Sequence, residues 1–554
     1  MRFRSAIAVL AAGSALWLLA AVAVPRADES PLLVAMQDEL KRSMSELKLQ
    51  NEPRPYYMAY EVDEMIDTSL TGRLGAIVAD TSRRVRVLEV DVRVGDYAFD
   101  SSRFVTGRGG PPAAGNVTAP LDDNYDVMRR QIWLATDTAY KRAVTVYARK
   151  KAAFQDRSAT DLLPDFSRET PVETVVTAPA GPPPADWADR VKQISSVFRS
   201  SAELQNSDVS VGETRGTRYY VNSEGFKVVA PIHAASLRVS ADTQAADGTA
   251  IRDAFGLVEG RLQDLPPAVD ITAQARELAA RLTAERTAPI GEEYTGPVLV
   301  EGQASGELLA QTLVPLMLAR RPPDVETNGR GGGPPNNQQV TPFLTRIGLR
   351  VLPDAFSASD TPSLTAYAGK PVPGAYTVDD EGVPAKDVTL VENGKLVTLL
   401  TSRTPQRKLL QSNGHSRSGT VQAGVFQMQS SQAVPAAQLK QKYLAVLKDQ
   451  DKTFGYIVRG IGGQGASPAI QHVVRVSLDG AETFVRGLRF APIASTTFRN
   501  ILDASVERPM YSYVSGTGDV VTVIVPSLIF EELEIQQTKD VAQKPPIVPS
   551  PITN

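Results

Sequence analysis

The side chains able to do chemistry in this 554-residue chain are few: there is no cysteine, and there are three histidines, His233, His415 and His472. Thiolate chemistry, disulfides and a lipid-modified cysteine are therefore excluded. A conventional zinc site, which draws three or four ligands from Cys, His and carboxylate, is short of donors. No histidine has another within a helical turn. His472, in the alternating run QHVVRVSL, and His233, beside Pro231, have the pattern of structural residues. His415 lies in the polar stretch SNGHSRSG and is a candidate ligand contact together with Arg417. A nucleophile elbow, G-x-S-x-G, is missing; Ser305 and Ser515 have glycine neighbours but no nearby histidine. GRGGG at 329–333 lacks the lysine and helix of a phosphate loop. Carboxylates cluster at Asp379, Asp380 and Glu381, ahead of Gly382 and Pro384. Asp and Gly form turns, so a turn between strands accounts for the cluster; a divalent-cation oxygen site is the alternative.

The elements that must position these groups read as an α+β chain. Helical spacing covers 32–49 and 122–155, with further helices expected near 185–204, 436–448 and 493–502 and one that puts Ile271, Ala275, Leu278, Ala279 and Leu282 on one face. Valine-rich alternation over 56–99 predicts a strand meander, with Leu88, Val90, Val92 and Val94 on one face. NSEG at 222–225 and Asn393-Gly394 are hairpin turns. The stretch PVLVEGQASGELLAQTLVPLML, 297–318, is a strand-to-helix corner of the kind that often carries catalytic groups, yet Leu308 to Val314 holds no His, carboxylate or Lys. Pro/Gly-rich runs at 107–120, 169–187 and 322–342 have linker composition. The expected division is a signal peptide at 1–27, an α+β region at 28–120, helices with a hairpin sheet at 121–290, a β-rich domain at 294–540 and a disordered tail at 541–554. The leader joins Arg2 and Arg4 to an apolar run and an AVA site, which predicts export to the periplasm or exterior. Membrane attachment is expected only through that segment if it stays uncleaved. A net charge of −3, with scattered Lys and Arg, argues against nucleic acid as a partner.

The block DDEGVPAKDVTLVENGKLVTLLTSRTPQRKLLQSNGHSRSG, 379–419, resembles the signature region of the TldD/PmbA family, metallopeptidases also described as modulators of DNA gyrase. RYYVNSEGFKVVAP resembles that family's earlier hairpin, and LDGAETFVRGLRF its late strand pair. The resemblance implies an N-terminal meander-and-helix region followed by a larger β-rich domain of the TldD/PmbA type. In zinc-bearing members a helix carries His-Glu-x-x-x-His and a later Cys completes the site, the Glu polarising bound water. Here the match places Ala310 and Pro315 at the histidines and Gln311 at the glutamate. Ala cannot ligate, Gln cannot accept a proton from water, and Pro should end or kink the helix. The resemblance thus implies no catalytic residue and no zinc of its own. It implies a peptidase homologue that assembles with itself or with a TldD-like catalytic subunit, zinc being expected only in that partner, and with peptide as substrate. Asp379, Asp380, Glu381, His415 and Arg417 are the expected cleft contacts. Two alternatives stand: an active peptidase using His415 with the acidic turn, and a non-catalytic binder that adds extended peptides to sheet edges.

Overall fold

The computed structural model describes residues 30–105, 117–155, 163–176, 186–325, 341–462 and 467–539, together with 546, 550 and 551. The leader expected at 1–27 lies outside these residues, as does the tail expected at 541–554 apart from the last three named.

Pro31 opens α1 (Pro31–Glu46), a position where the missing N–H would be unpaired anyway. Strands β1 (Pro55–Arg73) and β2 (Ala76–Val94) form a long hairpin. Its turn residues Leu74 and Gly75 both have positive φ, matching the twist of the strands. Leu88, Val90, Val92 and Val94 share one buried face, as their alternation predicts. The pairs β3 (Phe104–Val105) and β4 (Val117–Thr118) precede α2 (Tyr125–Ala153), where Asn124 caps the helix by accepting from the Val127 N–H. Met128, Ile132, Tyr140 and Val144 of α2 close over β2 and α1. After β5 (Glu173–Val175) and α3 (Trp187–Ser195) comes the hairpin of β6 (Asn206–Asn222) and β7 (Lys227–Gln244). The turn is NSEG, where Asn222 Oδ1 accepts from the N–H groups of Glu224 and Phe226. Next are β8 (Ala250–Glu259) and α4 (Ala268–Glu285), whose Ile271, Ala275, Leu278 and Leu282 are fully buried at helical spacing. The sheet order is β4-β2-β1-β6-β7-β5 with β8 on β7, and β1 pairs with β6 from Ala59–Asn222 to Gly72–Val209. Residues 28–120 and 121–290 therefore build one sheet.

The second half opens with β9 (Tyr294–Val300), α5 (Gln303–Thr312) and β10 (Asp324–Val325), which pairs back onto β3. The strands β11 (Phe356–Asp360), β12 (Ala366–Tyr367), β13 (Lys370–Pro371), β14 (Val388–Glu392) and β15 (Lys395–Leu396) follow. Then come β16 (Ser416–Arg417), β17 (Thr420–Val421), β18 (Val425–Ser430) and α6 (Ala436–Asp449). The chain continues as β19 (Phe454–Gly462), β20 (Ala469–Ser477), β21 (Glu482–Val485) and β22 (Leu488–Phe490). It closes with β23 (Ile501–Ala504), β24 (Met510–Val514), β25 (Val520–Ile524) and β26 (Leu528–Gln537). One sheet runs β15-β14-β11-β18-β25-β24. The other runs β19-β9-β26-β22-β20-β21, and the extra β19–β20 pairing closes it into a small barrel. The largest core lies between these layers and takes in Val298, Leu308, Phe426, Val523 and Phe530.

The class is α+β, as read from the sequence. Two local expectations change. The helix near 493–502 is a single 3₁₀ turn at Thr497–Asn500, because Ile501 and Ala504 leave it to pair with β26 and bury their side chains. The helix near 185–204 is α only to Ser195 and continues as 3₁₀ over Ser196–Ser200. Among the described residues no helix is long and apolar enough to cross a membrane.

Candidate functional site

At the strand-to-helix corner, β9 delivers Val298, Leu299 and Val300 fully buried and hands the chain to Gly302, which has φ +57°. A Cβ there would touch nothing within 4 Å, so glycine is required for the backbone conformation and not for space. The Gly302 N–H donates to Ser527 Oγ at 2.8 Å, and Glu301 pairs with Arg459 at 2.8 Å. Along α5, Gly306 lets the helix press on Tyr511, whose side chain a Cβ would meet at 2.9 Å. Glu307 accepts from the Ile461 N–H at 2.9 Å, and burial pushes its carboxyl above the usual range. The α-helical ladder ends at Thr312, and Pro315 sits in the following 3₁₀ turn, Val314–Met317, where it breaks no α-helical bond.

The three positions that the sequence resemblance aligns with a metallopeptidase motif, Ala310, Gln311 and Pro315, have different surroundings. Ala310 is buried in the main core with Leu308, Leu309 and Leu313. Gln311 is half-buried, its Oε1 enclosed without a partner. Pro315 is exposed. A methyl group, one amide oxygen and a pyrrolidine ring do not make a zinc donor set. Among the described residues no three His, Asp or Glu side chains are grouped to hold a metal ion. The residues present do not fit the metal that the motif would hold.

The acidic turn is instead a joint between the two halves. Asp379 is buried, and its carboxylate accepts from the N–H groups of Glu381 (3.0 Å), Val383 (2.9 Å) and Ser416 (3.0 Å). Its Oδ1 bonds fix the turn through Gly382 (φ +81°), where a Cβ would lie 2.8 Å from Phe226. Asp380 makes an ion pair with Arg218 of β6, which also grips Asp63 through two 2.8 Å bonds and lies 3.2 Å from Glu61. Glu381 accepts from the Arg403 N–H at 2.8 Å. The fully buried Arg403 guanidinium holds Glu224 at 2.6 and 2.8 Å and stacks 3.8 Å over the Phe166 ring. Burial, with Asp63 and Asp380 adding to it against Arg218, holds the Glu61 carboxyl well above its ordinary range. Burial and Asp91 push Glu89 up to about 7.

Sequence reasoning placed His415 in a polar loop as a ligand contact. It is instead completely buried, with Nε2 3.2 Å from Asp360 and Nδ1 3.0 Å from the Asn413 carbonyl and side-chain oxygens. Asp360 also receives the N–H groups of Gly424 and Val425, so the pair pins β11 and the start of β18. In this fold His415 has no surface to offer a substrate. Arg417 donates to the Val520 carbonyl at 2.8 Å and lies 4.7 Å from the Tyr376 ring centroid. Sequence reading missed Arg218, Arg403, Glu61 and Glu224. The available signal was charge inside tyrosine- and valine-rich strands, as in RYYVNSEG and AYEVDEM.

The model of the PmbA/TldA metallopeptidase C-terminal domain matches residues 293–537. No curated protein matches the chain. TldE from Thermococcus kodakarensis is similar in structure, with a TM-score of 0.57 at 15% identity, covering 90% of this chain and 99% of that one. A protein described as a modulator of a DNA gyrase from Thermotoga maritima gives 0.55 at 15% identity, covering 87% and 96%. One so described from Bacteroides thetaiotaomicron gives 0.57 at 12% identity, covering 91% and 98%. At these identities the structural likeness speaks for the fold. With the β9–α5 corner, the acidic turn and the barrel all lying inside the matched span, residues 293–537 form a domain of the PmbA/TldA metallopeptidase C-terminal type.

Proposed function

We propose that this protein is an exported peptidase homologue without a catalytic metal of its own, working as a subunit of a peptidase-like assembly. The single observation that supports the reading is side-chain chemistry: Ala310, Gln311 and Pro315 are the residues that the family resemblance aligns with the ligands and the base, and the chain has no cysteine to complete a site. The framework around them is kept, with β9, Gly302 and α5 packed into the core. A retained framework with its donors exchanged suits a subunit that shapes a cavity or holds a partner. The partner is a second copy or a metal-bearing relative that brings its own zinc, and the shared substrate is a peptide. Export rests on the leader. The test is co-purification of the tagged full chain from its native cell envelope, with peptide hydrolysis assayed on the complex and on the chain alone. Activity is expected only in fractions that contain a relative with His-Glu-x-x-x-His. Hydrolysis by the lone chain would contradict the reading.

A further inference from the structure

A cavity of about 420 Å³ lies in the N-terminal half between α2 and the outer edge of β2, a region that the matched C-terminal span does not include. Its helical wall runs from Gln131 to Val146 with Ala135, Ala139 and Ala143 at every fourth position, so small side chains leave a trough beside the helix. That wall is roughly 22 Å long at about 1.5 Å per residue. It matches an extended segment of about six or seven residues at about 3.3 Å each.

The opposite wall is a strand edge. Arg86 O accepts from the Ala119 N–H and Val94 O from the Ser101 N–H, so the even-numbered residues of β2 turn their backbone groups outward. β4 covers this edge only at Val87 and Leu88. The outward N–H and C=O groups of Val90 and Val92, both lining the cavity, meet no strand among the described residues. Unpaired backbone at a buried edge costs free energy that an added strand would recover.

The cavity also holds a guanidinium with unpartnered donors. Arg103 lines it with φ +59°, a strained left-handed conformation for arginine, and its Nε and Nη2 are enclosed with no partner. Ser102 Oγ beside it is likewise unpartnered. Burial, with Arg321 adding to it and Asp165 and Asp324 opposing it, lowers Arg103 to about 10. Arg93 and Asp91 line the same space. Arg93 is already engaged by Asp91 at 2.8 Å. An enclosed guanidinium with two spare N–H groups is a geometric match for a carboxylate.

We propose that this groove binds the carboxylate end of an extended peptide, which adds as a strand to the Val90–Val92 edge of β2 and places its terminal carboxylate on Arg103 and Ser102. Backbone pairing would give affinity for varied sequences, and the alanine trough would accept the side chains that point toward α2. The site is independent of the reading of the β9–α5 corner.

The experiment uses the full chain and two pools of fluorescein-labelled, randomised heptapeptides, identical except for a free or an amidated C-terminus. Anisotropy is expected to give saturable binding at least tenfold tighter for the free-carboxylate pool. Arg103→Met should reduce that pool to the level of the amide. Ala139→Trp, which fills the trough, should abolish both, each variant being checked for an unchanged melting temperature. Hydrogen exchange should slow at Val90 and Val92 when peptide is added. No binding, equal binding of the two pools, or equal binding of decanoate would overturn the proposal. So would finding the Val90 and Val92 amides already protected without peptide, because the chain itself would then fill the groove.

Discussion

Arg403 is fully buried, and across a sequence separation of 236 it reaches the carbonyl of Ser167, and it also holds the Glu224 carboxylate. Removing one partner of such a pair leaves the other enclosed and uncompensated, at a cost of about 3–5 kcal/mol. Arg403→Met is therefore expected to destabilise by about 3 kcal/mol in urea denaturation, because Glu224 keeps a 2.6 Å bond from Tyr97 Oη. Adding Glu224→Gln should recover part of the loss. Glu285 makes a different test. It is buried beside Asp253, and burial first, then Asp253, push its carboxyl up to about 8 from 4.5. A raised acid binds its proton more tightly folded than unfolded, so its contribution to stability falls as pH rises from about 4.5 to about 8. Glu285→Gln should raise the melting temperature at pH 9 and leave it nearly unchanged at pH 5. Glu482 has the opposite sign: hydrogen bonding to Arg459 lowers it to about 2, so its contribution is lost below its ordinary range as pH falls toward 2.

The corner helix α5 is where sequence and packing must agree. Ala310 belongs to the main core, so Ala310→His overpacks it and should cost about 1–3 kcal/mol, where an alanine lining a cleft would tolerate the change. Restoring all three motif residues, Ala310→His with Gln311→Glu and Pro315→His, should still yield no stoichiometric zinc. Position 310 faces the core, position 315 lies beyond the end of the α-helix, and no cysteine exists to complete the site. Much at this scale was legible in the sequence. Period-four apolar residues gave α4, strict alternation gave the face of β2, and Asn393-Gly394, both with positive φ, gave the β14–β15 turn. These signals are local, set by backbone geometry within a few residues. The stretch at 493–502 was misread because Ile501 and Ala504 answer to β26, some thirty residues on, and helical spacing cannot register that pairing. His415 was misread for a similar reason. The His415 ring bonds to Asn413 and Asp360, and the Ser416 N–H donates to Asp379, so a hydrophilic stretch became core.

Across the whole molecule, the acidic turn taken from the sequence as a candidate contact site locks one half to the other. Asp380, Asp63 and Glu61 surround Arg218, a single cation from β6. Arg218→Gln leaves Asp63 and Asp380 without their counter-charge. It should destabilise far more than Asp380→Asn, which removes one anion and leaves Asp63 paired to the arginine. Calorimetry of the two variants reads this order directly, and the reverse order would contradict the joint. Such a joint was not legible beforehand, because its members come from strands more than a hundred residues apart. In the proposed reading, the chain keeps a peptidase-like framework and carries other side chains at the donor positions of one corner. The most direct measurement is the zinc content of the purified full chain after incubation with excess zinc and removal of the unbound metal, by plasma mass spectrometry. Well under a tenth of an equivalent per chain is predicted, by an order-of-magnitude argument from the missing ligands. One equivalent per chain, retained through gel filtration, would contradict the account.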